Sequence, residues 1–422
     1  MLNIIVNIFF ILGVFIYGFK DCKKSVLIYV IGTFVAPVLR IDSLYLSFDV
    51  ICFPLLLLLS IPNTKVKIRF STGDGVSFLP YLLVYLVLTM FGSVLYGGGI
   101  SVATIYAILR FIIVLHIIQD VWQGELIQFL DKVLGWVLLL NIVCCIIQVT
   151  NLLPVEFFYN LYYKTSMKPL FNQLELGYFN RAYGTTGSPV ILGGIAVLSY
   201  AFYIATYASS QFHTRVNILK LIGSALCGLL ALSKTAIIAI PAVSILAFVM
   251  CALYYESSRV KSLLKVFGAV IIGTIVLFYV VLWMNDNGFA ISYYLQFLKD
   301  PLKSLTTRYD DEVGNLSKAI DVIRAHPIFG VGHATFDDTF VGDSVYIVLL
   351  YQTGICGVIA YFVPYVVSFV RSIKKKLLVS SSILFAFVLI AIGNASQLSY
   401  YLIPFVAIAF DASLGDTAVQ QD

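Results

Sequence analysis

The chain has 422 residues, of which 60% are hydrophobic and only 12% charged, and its mean hydropathy is +0.96. Soluble domains are close to half apolar and a quarter charged, so this composition excludes a soluble multi-domain protein and predicts an integral membrane protein. A net charge of +5 would favour nucleic acid in a soluble protein. Here the basic residues flank apolar runs, so we expect no nucleic-acid partner.

Long apolar runs separated by short polar stretches predict membrane-spanning helices, because a helix needs roughly 20 apolar residues to cross the hydrocarbon core. A run such as ICFPLLLLLSI does not alternate as a barrel strand would. We predict an all-α polytopic protein with twelve or thirteen transmembrane helices in a single membrane domain, residues 1–422. The predicted spans are 3–19, 25–39, 43–61, 77–96, 102–119, 132–152, 189–207, 217–232, 235–255, 266–284, 344–370, 377–394 and 398–413.

The basic loops of the chain fall on alternate turns of this map. They are KDCKK, NTKVKIRF, HTR, ESSRVKSLLK and RSIKKK, and the positive-inside rule assigns all of them to the cytoplasm. The other side carries two large loops, residues 153–188 and 285–343. Long loops often carry binding or catalytic residues, so we expect the functional site on that outer side.

Arg110 lies near the middle of the apolar run VATIYAILRFIIVLHIIQD. A cation at this depth costs on the order of 2.5–3.5 kcal/mol by insertion scales, which predicts either a function or a partner for it. Asp49, in another predicted span, is a candidate structural partner. Both interpretations of Arg110 stay open from the sequence.

Several further cations are placed on the outer side, where the positive-inside rule disfavours them. Guanidinium groups match phosphate oxygens in a bidentate way, so a cluster of such cations would suit a lipid-linked phosphate or diphosphate. Contact with phospholipid headgroups is the simpler alternative for each one taken alone. These cations are Arg40, Arg181, Lys234, Arg308 and Arg324.

The polar stretch RAHPIFGVGHATFDD, residues 324–338, is unusual in so apolar a chain. The preceding residues put Leu316, Ile320 and Ile323 on one stripe, which predicts an amphipathic helix lying at the membrane surface and ending before Pro327. The GVG turn lacks the context of a dinucleotide site. His326 and His333 lack zinc spacing, so we expect no metal site.

Taken in order, the segments NRAYGTTGSPVILGG, LSKTAIIAI, TTRYDDEVGNLSKAIDVIRAHPIFGVGHATF and DSVYIVLLYQTGICGVIAYF resemble the bacterial O-antigen polymerase and O-antigen ligase family. The resemblance covers residues 180–362. In that family an arginine precedes a glycine turn at the start of one span, and a basic residue follows a serine at the start of another span. A further arginine precedes the helix in the outer loop. Arg181, Lys234 and Arg308 occupy those positions here.

Two positions depart from the family pattern. The family often has His-Asn or His-Ser before the next span, whereas this chain has Asp343 and Ser344. If that histidine is the general base, its role passes to Asp343 or to His333. Lys234 stands where arginine is common, which keeps the charge but loses the bidentate geometry.

The resemblance implies a C-type glycosyltransferase in a bacterial inner membrane, with its active site facing the periplasm. Its substrates would be undecaprenyl-diphosphate-linked oligosaccharides, with membrane lipid and a chain-length regulator as further partners and no cofactor. We prefer a polymerase, which transfers the glycan to another lipid-linked repeat, over a ligase, which transfers it to lipid A core. A flippase for the lipid-linked oligosaccharide is the alternative from another functional class. Asp343 and His333 are the expected catalytic residues. The expected diphosphate ligands are Arg181, Lys234, Arg308, Arg324, Arg40 and Arg110.

Overall fold

A computed structural model describes most of the chain and shows a helical protein with one short β-hairpin. The described residues are 2–41, 44–60, 79–99, 101–149, 152–153, 155–162, 181–209, 214–254, 260–261, 263–265, 267–268, 272, 276, 300, 316–334, 336, 341–342, 344–394 and 398–410.

Fourteen α-helices are described and are numbered here in chain order. They are α1 (Leu2–Lys20), α2 (Cys22–Val35), α3 (Phe48–Ser60), α4 (Leu79–Leu95), α5 (Val102–Val121), α6 (Leu126–Val149), α7 (Val155–Tyr162), α8 (Pro189–Ala208), α9 (Thr214–Leu230), α10 (Lys234–Tyr254), α11 (Ser317–Ala325), α12 (Val345–Lys374), α13 (Leu378–Ile390) and α14 (Ile403–Ala409).

Six of these helices, α1, α5, α6, α8, α10 and α12, are long and apolar enough to cross a membrane. The chain is therefore a multi-pass membrane protein. Each predicted span overlaps a described helix, except that 266–284 lies almost wholly outside the described residues. The total of twelve or thirteen crossings stays a prediction. The short apolar helices α3, α4, α9, α13 and α14 complete the bundle.

Helix α8 lies at the centre of the bundle, because nearly all of its side chains are buried. Helix α1 lies at the periphery, since large apolar side chains such as Phe9 and Phe19 are exposed. The sequence of α8 explains its position. Its small residues, including Gly193 and Gly194, allow α9, α10 and α13 to pack closely around it. Helix α8 therefore fixes the relative positions of the loops that join these neighbours.

The turns of the bundle segregate to two faces. On the first, which we call the basic face, Lys23 pairs with Glu125 at 2.9 Å, and the Lys376 ammonium lies 5.7 Å from the Tyr254 ring. The second, which we call the loop face, carries the turns after α2, α4, α9 and α13. Contacts link these turns to neighbouring loops, since Thr185 Oγ1 donates to the Phe34 carbonyl near the end of α2, Arg181 Nε donates to the Ala231 carbonyl after α9, and Ser344 Oγ donates to the Ala391 carbonyl after α13. NTKVKIRF and parts of HTR and ESSRVKSLLK lie outside the described residues, so the assignment of all basic loops to one side stays a prediction.

The predicted span 43–61 is wrong at its start. Strand β1 (Leu39–Ile41) pairs antiparallel with β2 (Leu44–Leu46), and α3 begins only at Phe48. The apolar residues Leu39, Ile41, Leu44 and Leu46 alternate with other residues, which is the period of a strand. The prediction of a helical span from residue 43 therefore missed this short hairpin, although the alternation of apolar residues could have indicated it.

Helix α12 is broken at Gly354, whose φ of 59° and ψ of −163° are not helical. The break leaves backbone groups without helical partners, and residues 326–334, which we call the GVG loop, satisfy them. Val331 N–H and Gly332 N–H donate to the carbonyls of Tyr351 and Gln352 at 2.8 and 2.9 Å. In return, the N–H groups of Ile355 and Cys356 donate to the carbonyls of residues 327 and 328. Irregular backbone is tolerated within a membrane protein where it is satisfied in this way.

Helix α11 ends at Ala325, and His326 caps it directly before Pro327, as the sequence predicts. One side of the helix contacts other parts of the protein. Ala319 is fully buried with Val331 and Tyr351, so this side packs against α12 and the GVG loop. Ile320 and Ile323 are only half-buried, so the position of this helix at the membrane surface stays a prediction.

Candidate functional site

Residues 181–188, which we call the Arg181 loop, are held rigidly by two polar side chains of α6. Gln148 Oε1 accepts hydrogen bonds from Tyr183 N–H and Gly184 N–H at 3.0 and 2.9 Å. Asn141 Oδ1 accepts from Thr185 N–H at 2.9 Å. A buried loop must have its backbone groups satisfied, and these amides perform that role. The loop therefore presents its side chains from a fixed backbone.

Arg181 binds the turn that joins α9 to α10, residues 231–234, which we call the cationic turn. Its Nε donates to the Ala231 carbonyl at 3.1 Å and its Nη2 donates to the Leu232 carbonyl at 3.2 Å. Lys234 follows as the first residue of α10. The structure thus brings Arg181 and Lys234, two cations from separate segments, to one turn on the loop face.

The backbone of the cationic turn is strained. Leu232 has a φ of 46°, a left-handed conformation that costs a non-glycine residue roughly 1–2 kcal/mol. Arg181 holds the Leu232 carbonyl in place, which offsets part of this cost. Strain of this kind persists where the surrounding structure enforces it, and it is concentrated at functional sites.

The electrostatics of the turn favour an anion. A helix N-terminus carries partial positive charge, so the start of α10 and the Lys234 ammonium add to each other. Arg181 neutralises the negative carboxyl end of α9 through the two carbonyls it binds. A cation at a helix N-terminus interacts unfavourably with the helix dipole, so the dipole does not account for the presence of Lys234 at this position.

A second feature of the loop face is a small polar cleft, whose cavity volume of about 10 Å³ gives room for about one water molecule. It lies between the end of α2, the start of α3, the Arg181 loop and Tyr400. Its polar lining residues are Thr33, Ser47, Asp49, Tyr162, Thr185, Thr186 and Tyr400. The cleft shares the Arg181 loop with the cationic turn, since Thr185 and Thr186 lie four and five positions after Arg181.

Arg110 and Asp49 form a buried ion pair beside this cleft. The guanidinium Nη1 bonds Asp49 Oδ2, and the side chains are 9% and 1% exposed. The guanidinium carbon also lies 5.6 Å from the Tyr106 ring and 5.7 Å from the Tyr400 ring. The prediction that Asp49, in another helix, is the structural partner of Arg110 is therefore confirmed.

Asp49→Ala is expected to destabilise the protein by about 3–5 kcal/mol, because it leaves a buried guanidinium without its counter-charge. The double variant Asp49→Leu/Arg110→Met should recover most of that loss, since an apolar pair of similar volume replaces the ions. Thermal unfolding of the detergent-purified proteins measures both effects. Equal midpoints for Asp49→Ala and the wild type would show that the pair contributes no stability.

His333 lies in the GVG loop and has a partner at each ring nitrogen. Nε2 is 2.9 Å from Thr104 Oγ1, and Nδ1 is 3.4 Å from Gln352 Nε2. Gln352 Oε1 in turn accepts from the Tyr85 hydroxyl at 2.8 Å. Gln352 donates to Nδ1, so the ring proton lies on Nε2 and points to Thr104. For His333 to act as a base in this arrangement, its contact with Gln352 would first have to open.

Burial lowers the pKa of His333 below its ordinary value of 6.5. The folded state therefore holds the imidazole neutral, and the stability this provides is complete above pH 6.5. It is lost as the pH falls from 6.5 through the lower pKa of the folded state. We expect the thermal midpoint of the wild type to drop more steeply between pH 7.5 and pH 5 than that of His333→Gln. Parallel midpoint curves for the two proteins would contradict this.

The remaining predicted cations are not gathered at the cationic turn by any described contact. Arg324 is 73% exposed and pairs with Asp321 at 3.4 Å on the surface of α11. Arg40 lies in β1, opposite Tyr45 in the hairpin register, and nothing is described of its side chain. Arg308 and Asp343 lie outside the described residues. Ser344, the residue after Asp343, directly precedes α12 and lies close to Ala391 on the loop face.

Sequence reasoning missed the polar cleft and the support of the Arg181 loop. The hydroxyls of Thr33, Thr185 and Thr186 carry no pattern that distinguishes them from other threonines in apolar surroundings. Gln148 and Asn141 could have been singled out, because amide side chains within a membrane helix usually bond to another segment. Leu232 gave no signal, since glycine is the residue expected at a left-handed position.

No protein-family model, no curated protein and no solved structure matches this chain. Its function is therefore inferred from the chemistry of these two neighbouring features on the loop face.

Proposed function

We propose that the chain is a membrane glycosyltransferase that polymerises polysaccharide repeat units carried on a polyprenyl diphosphate. The observation that carries the proposal is the meeting of Arg181 and Lys234 at the cationic turn, where a diphosphate would find two cations and a helix N-terminus. The leaving diphosphate gains negative charge in the transition state, and preorganised cations stabilise that charge without reorganising.

The acceptor in this proposal is a sugar hydroxyl of a second lipid-linked repeat. Deprotonation of that hydroxyl requires a base near the diphosphate. Asp343 is proposed for this role, because it precedes Ser344, which lies at the same face as the cationic turn. The approach of Gly393 to Thr235 supports the placement, since a Cβ on Gly393 would lie 2.3 Å from Thr235 Oγ1. The start of α10 and the end of α13 are thus in contact.

A lipid-linked oligosaccharide transporter is the second candidate, and one observation favours it. Helix α12 is discontinuous at Gly354, and broken helices are common at transporter substrate sites. In this protein, however, the free backbone groups described on both sides of the break are bonded to the GVG loop. They are not left open to coordinate a substrate, so the polymerase is the stronger proposal.

Deletion of the gene in the producing cell separates the possible activities by the glycan that results. Loss of a polymerase leaves single repeat units on the surface, loss of a ligase accumulates lipid-linked polymer, and loss of a transporter keeps the units inside the cell. We expect single repeat units, restored to long chains by the wild-type gene. Long surface chains in the deletion strain would refute a required polymerase.

A further inference from the structure

We infer that the polar cleft binds a single sodium ion, held by protein oxygens without its shell of water. The cavity volume of about 10 Å³ gives room for about one water molecule, so the occupant must be a group of that size. A bare sodium ion is no larger than a water molecule. Such an ion would bind whatever reaction the chain catalyses, so the site does not depend on the proposed function.

The polar side chains that line the cleft all end in oxygen, and three of the hydroxyls already give their protons to the protein. Thr33 Oγ1 donates to the carbonyl three residues earlier at 2.7 Å. The hydroxyls of Tyr162 and Thr185 donate to carbonyls in the last turn of α2 at 3.2 and 2.9 Å. What remains on these oxygens is lone pairs. A water molecule has only two protons to offer such a lining, whereas a cation attracts every oxygen around it.

Asp49 supplies a buried carboxylate oxygen that lacks a hydrogen-bond donor. Its side chain lines the cleft and is 1% exposed, and its Oδ2 is bonded by Arg110. Among the described residues, no hydrogen bond reaches its other oxygen, Oδ1. Buried polar atoms are nearly always satisfied, so this oxygen indicates a donor or a cation in the adjoining cavity.

The end of α2 adds a negative potential to the cleft. The carboxyl end of a helix carries partial negative charge, and Thr33, Phe34 and Ala36 at this end line the cavity. In membrane transport proteins, the carboxyl ends of interrupted helices coordinate sodium in this way. The positive end of α3 also reaches the cleft, but Asp49 lies in its first turn and offsets it.

The charge around the cleft suits a monovalent cation and not a divalent one. Arg110 does not line the cavity, so an ion there meets the Asp49 carboxylate before it meets the guanidinium, and attraction outweighs repulsion. The carboxylate is already shared with Arg110, however, which leaves too little negative charge for a divalent ion. Calcium takes roughly six to eight oxygen ligands, and magnesium keeps several waters for which the cavity has no room.

The ion would connect three segments of the loop face. Thr33 belongs to α2, Asp49 to α3 and Thr185 to the Arg181 loop, and all three line the same cavity. A ligand that binds only the folded state stabilises it by mass action. We therefore expect the protein to be more stable in sodium than in other monovalent cations at the same ionic strength.

Thermal unfolding of the purified protein in nanodiscs tests the site. The midpoint is measured in equal concentrations of sodium, potassium and choline chloride, so that general salt effects are the same. We expect a midpoint at least about 2 °C higher in saturating sodium than in choline. Potassium should give a smaller rise, because the larger ion does not fit the cavity. Titration calorimetry with sodium chloride gives the dissociation constant.

Two variants locate the ion. Thr33→Val removes one lining oxygen at nearly constant volume, so it should weaken sodium binding at least about tenfold and reduce the rise in midpoint. Thr206→Val is its matched control, because Thr206 makes the same local bond to the carbonyl three residues earlier but is buried in α8 away from the cleft. The double variant Asp49→Leu/Arg110→Met should unfold at the same midpoint in all three salts, although it is expected to keep most of its stability.

Equal midpoints in sodium and choline, with no heat of binding, would show that the cleft holds water only and would overturn the inference. An equal rise in potassium would also overturn it, since the cavity would not be selecting an ion by size. So would an unchanged sodium response in Thr33→Val and in the double variant, which would place the ion elsewhere. None of these results bears on the polymerase, which the deletion strain tests separately.

Discussion

Lys234→Gln is expected to reduce long-chain polysaccharide at least about a hundredfold while the protein stays folded and abundant. Loss of one preorganised group that stabilises transition-state charge costs about this much in other enzymes. Removing a cation from a helix N-terminus relieves about 0.3–1 kcal/mol of unfavourable interaction with the helix dipole, which offsets part of any contact that the Lys234 side chain loses. Gel analysis of surface polysaccharide, with immunoblotting for the protein, measures both quantities.

Two companion variants make this result specific to charge. Lys234→Arg keeps the positive charge and should restore long chains. Arg181→Ala should lose long chains and some stability together, because the guanidinium also holds the carbonyls of Ala231 and Leu232 in the strained turn. Full-length polysaccharide from Lys234→Gln protein at normal abundance would remove the cationic turn from the mechanism.

Gly332→Ala is expected to prevent the GVG loop from docking and to leave little folded protein in the membrane. A Cβ at Gly332 would lie 2.1 Å from the Ser93 nitrogen and 2.5 Å from the Thr89 carbonyl oxygen, both backbone atoms of α4. Displacing the loop would also break its two hydrogen bonds to the Tyr351 and Gln352 carbonyls. Overpacking typically costs 1–3 kcal/mol, and buried carbonyls left unpaired add about 1–3 kcal/mol each.

Gly99→Ala provides the matched control for Gly332→Ala. The two glycines have nearly the same φ, 65° and 66°, so a side chain carries the same backbone strain at both. Among the described residues, however, no atom beyond the chain neighbours would lie within 4 Å of a Cβ at Gly99. Fluorescence-detected size-exclusion chromatography should show a folded peak for Gly99→Ala and its loss for Gly332→Ala. Similar peaks for both would mean that the loop does not need its close contact with α4.

Gly354→Ala tests the same junction from α12. Its φ of 59° disfavours any side chain, and a Cβ would lie 2.3 Å from the Ile328 carbonyl. A continuous helix α12, which alanine would favour, has no free carbonyls for the loop to occupy. We therefore expect Gly354→Ala to lose the folded peak in the same chromatographic assay, as Gly332→Ala does.

The transmembrane helices could be predicted from the sequence because each one depends on its own composition. The bounds of α8, predicted as 189–207, are observed as Pro189–Ala208. The exception is the segment before α3, where a hairpin replaces the predicted start of a span. There the apolar alternation from Leu39 to Leu46 is short enough to be hidden within a generally apolar stretch.

The candidate site could be predicted only in part. The sequence draws attention to Arg181 and Lys234 as cations on the side where few are expected, and the structure brings them to one turn. It suggests two roles for Arg110, and only the packing of α3 against α5 decides that Asp49 neutralises it. Arg324 carries the same charge but is paired on an exposed helix, a difference that sequence position does not reveal.

By itself, the sequence determined that this protein crosses a membrane many times, with helices joined by alternating basic and polar loops. That much is local, because a helix in lipid must satisfy its own backbone with its own residues and cover itself with apolar side chains. Only the tertiary structure decided which charges are paired, where the polar cleft lies, and how the GVG loop completes the broken helix α12. These features depend on contacts between residues far apart in the chain, and no local pattern encodes such contacts.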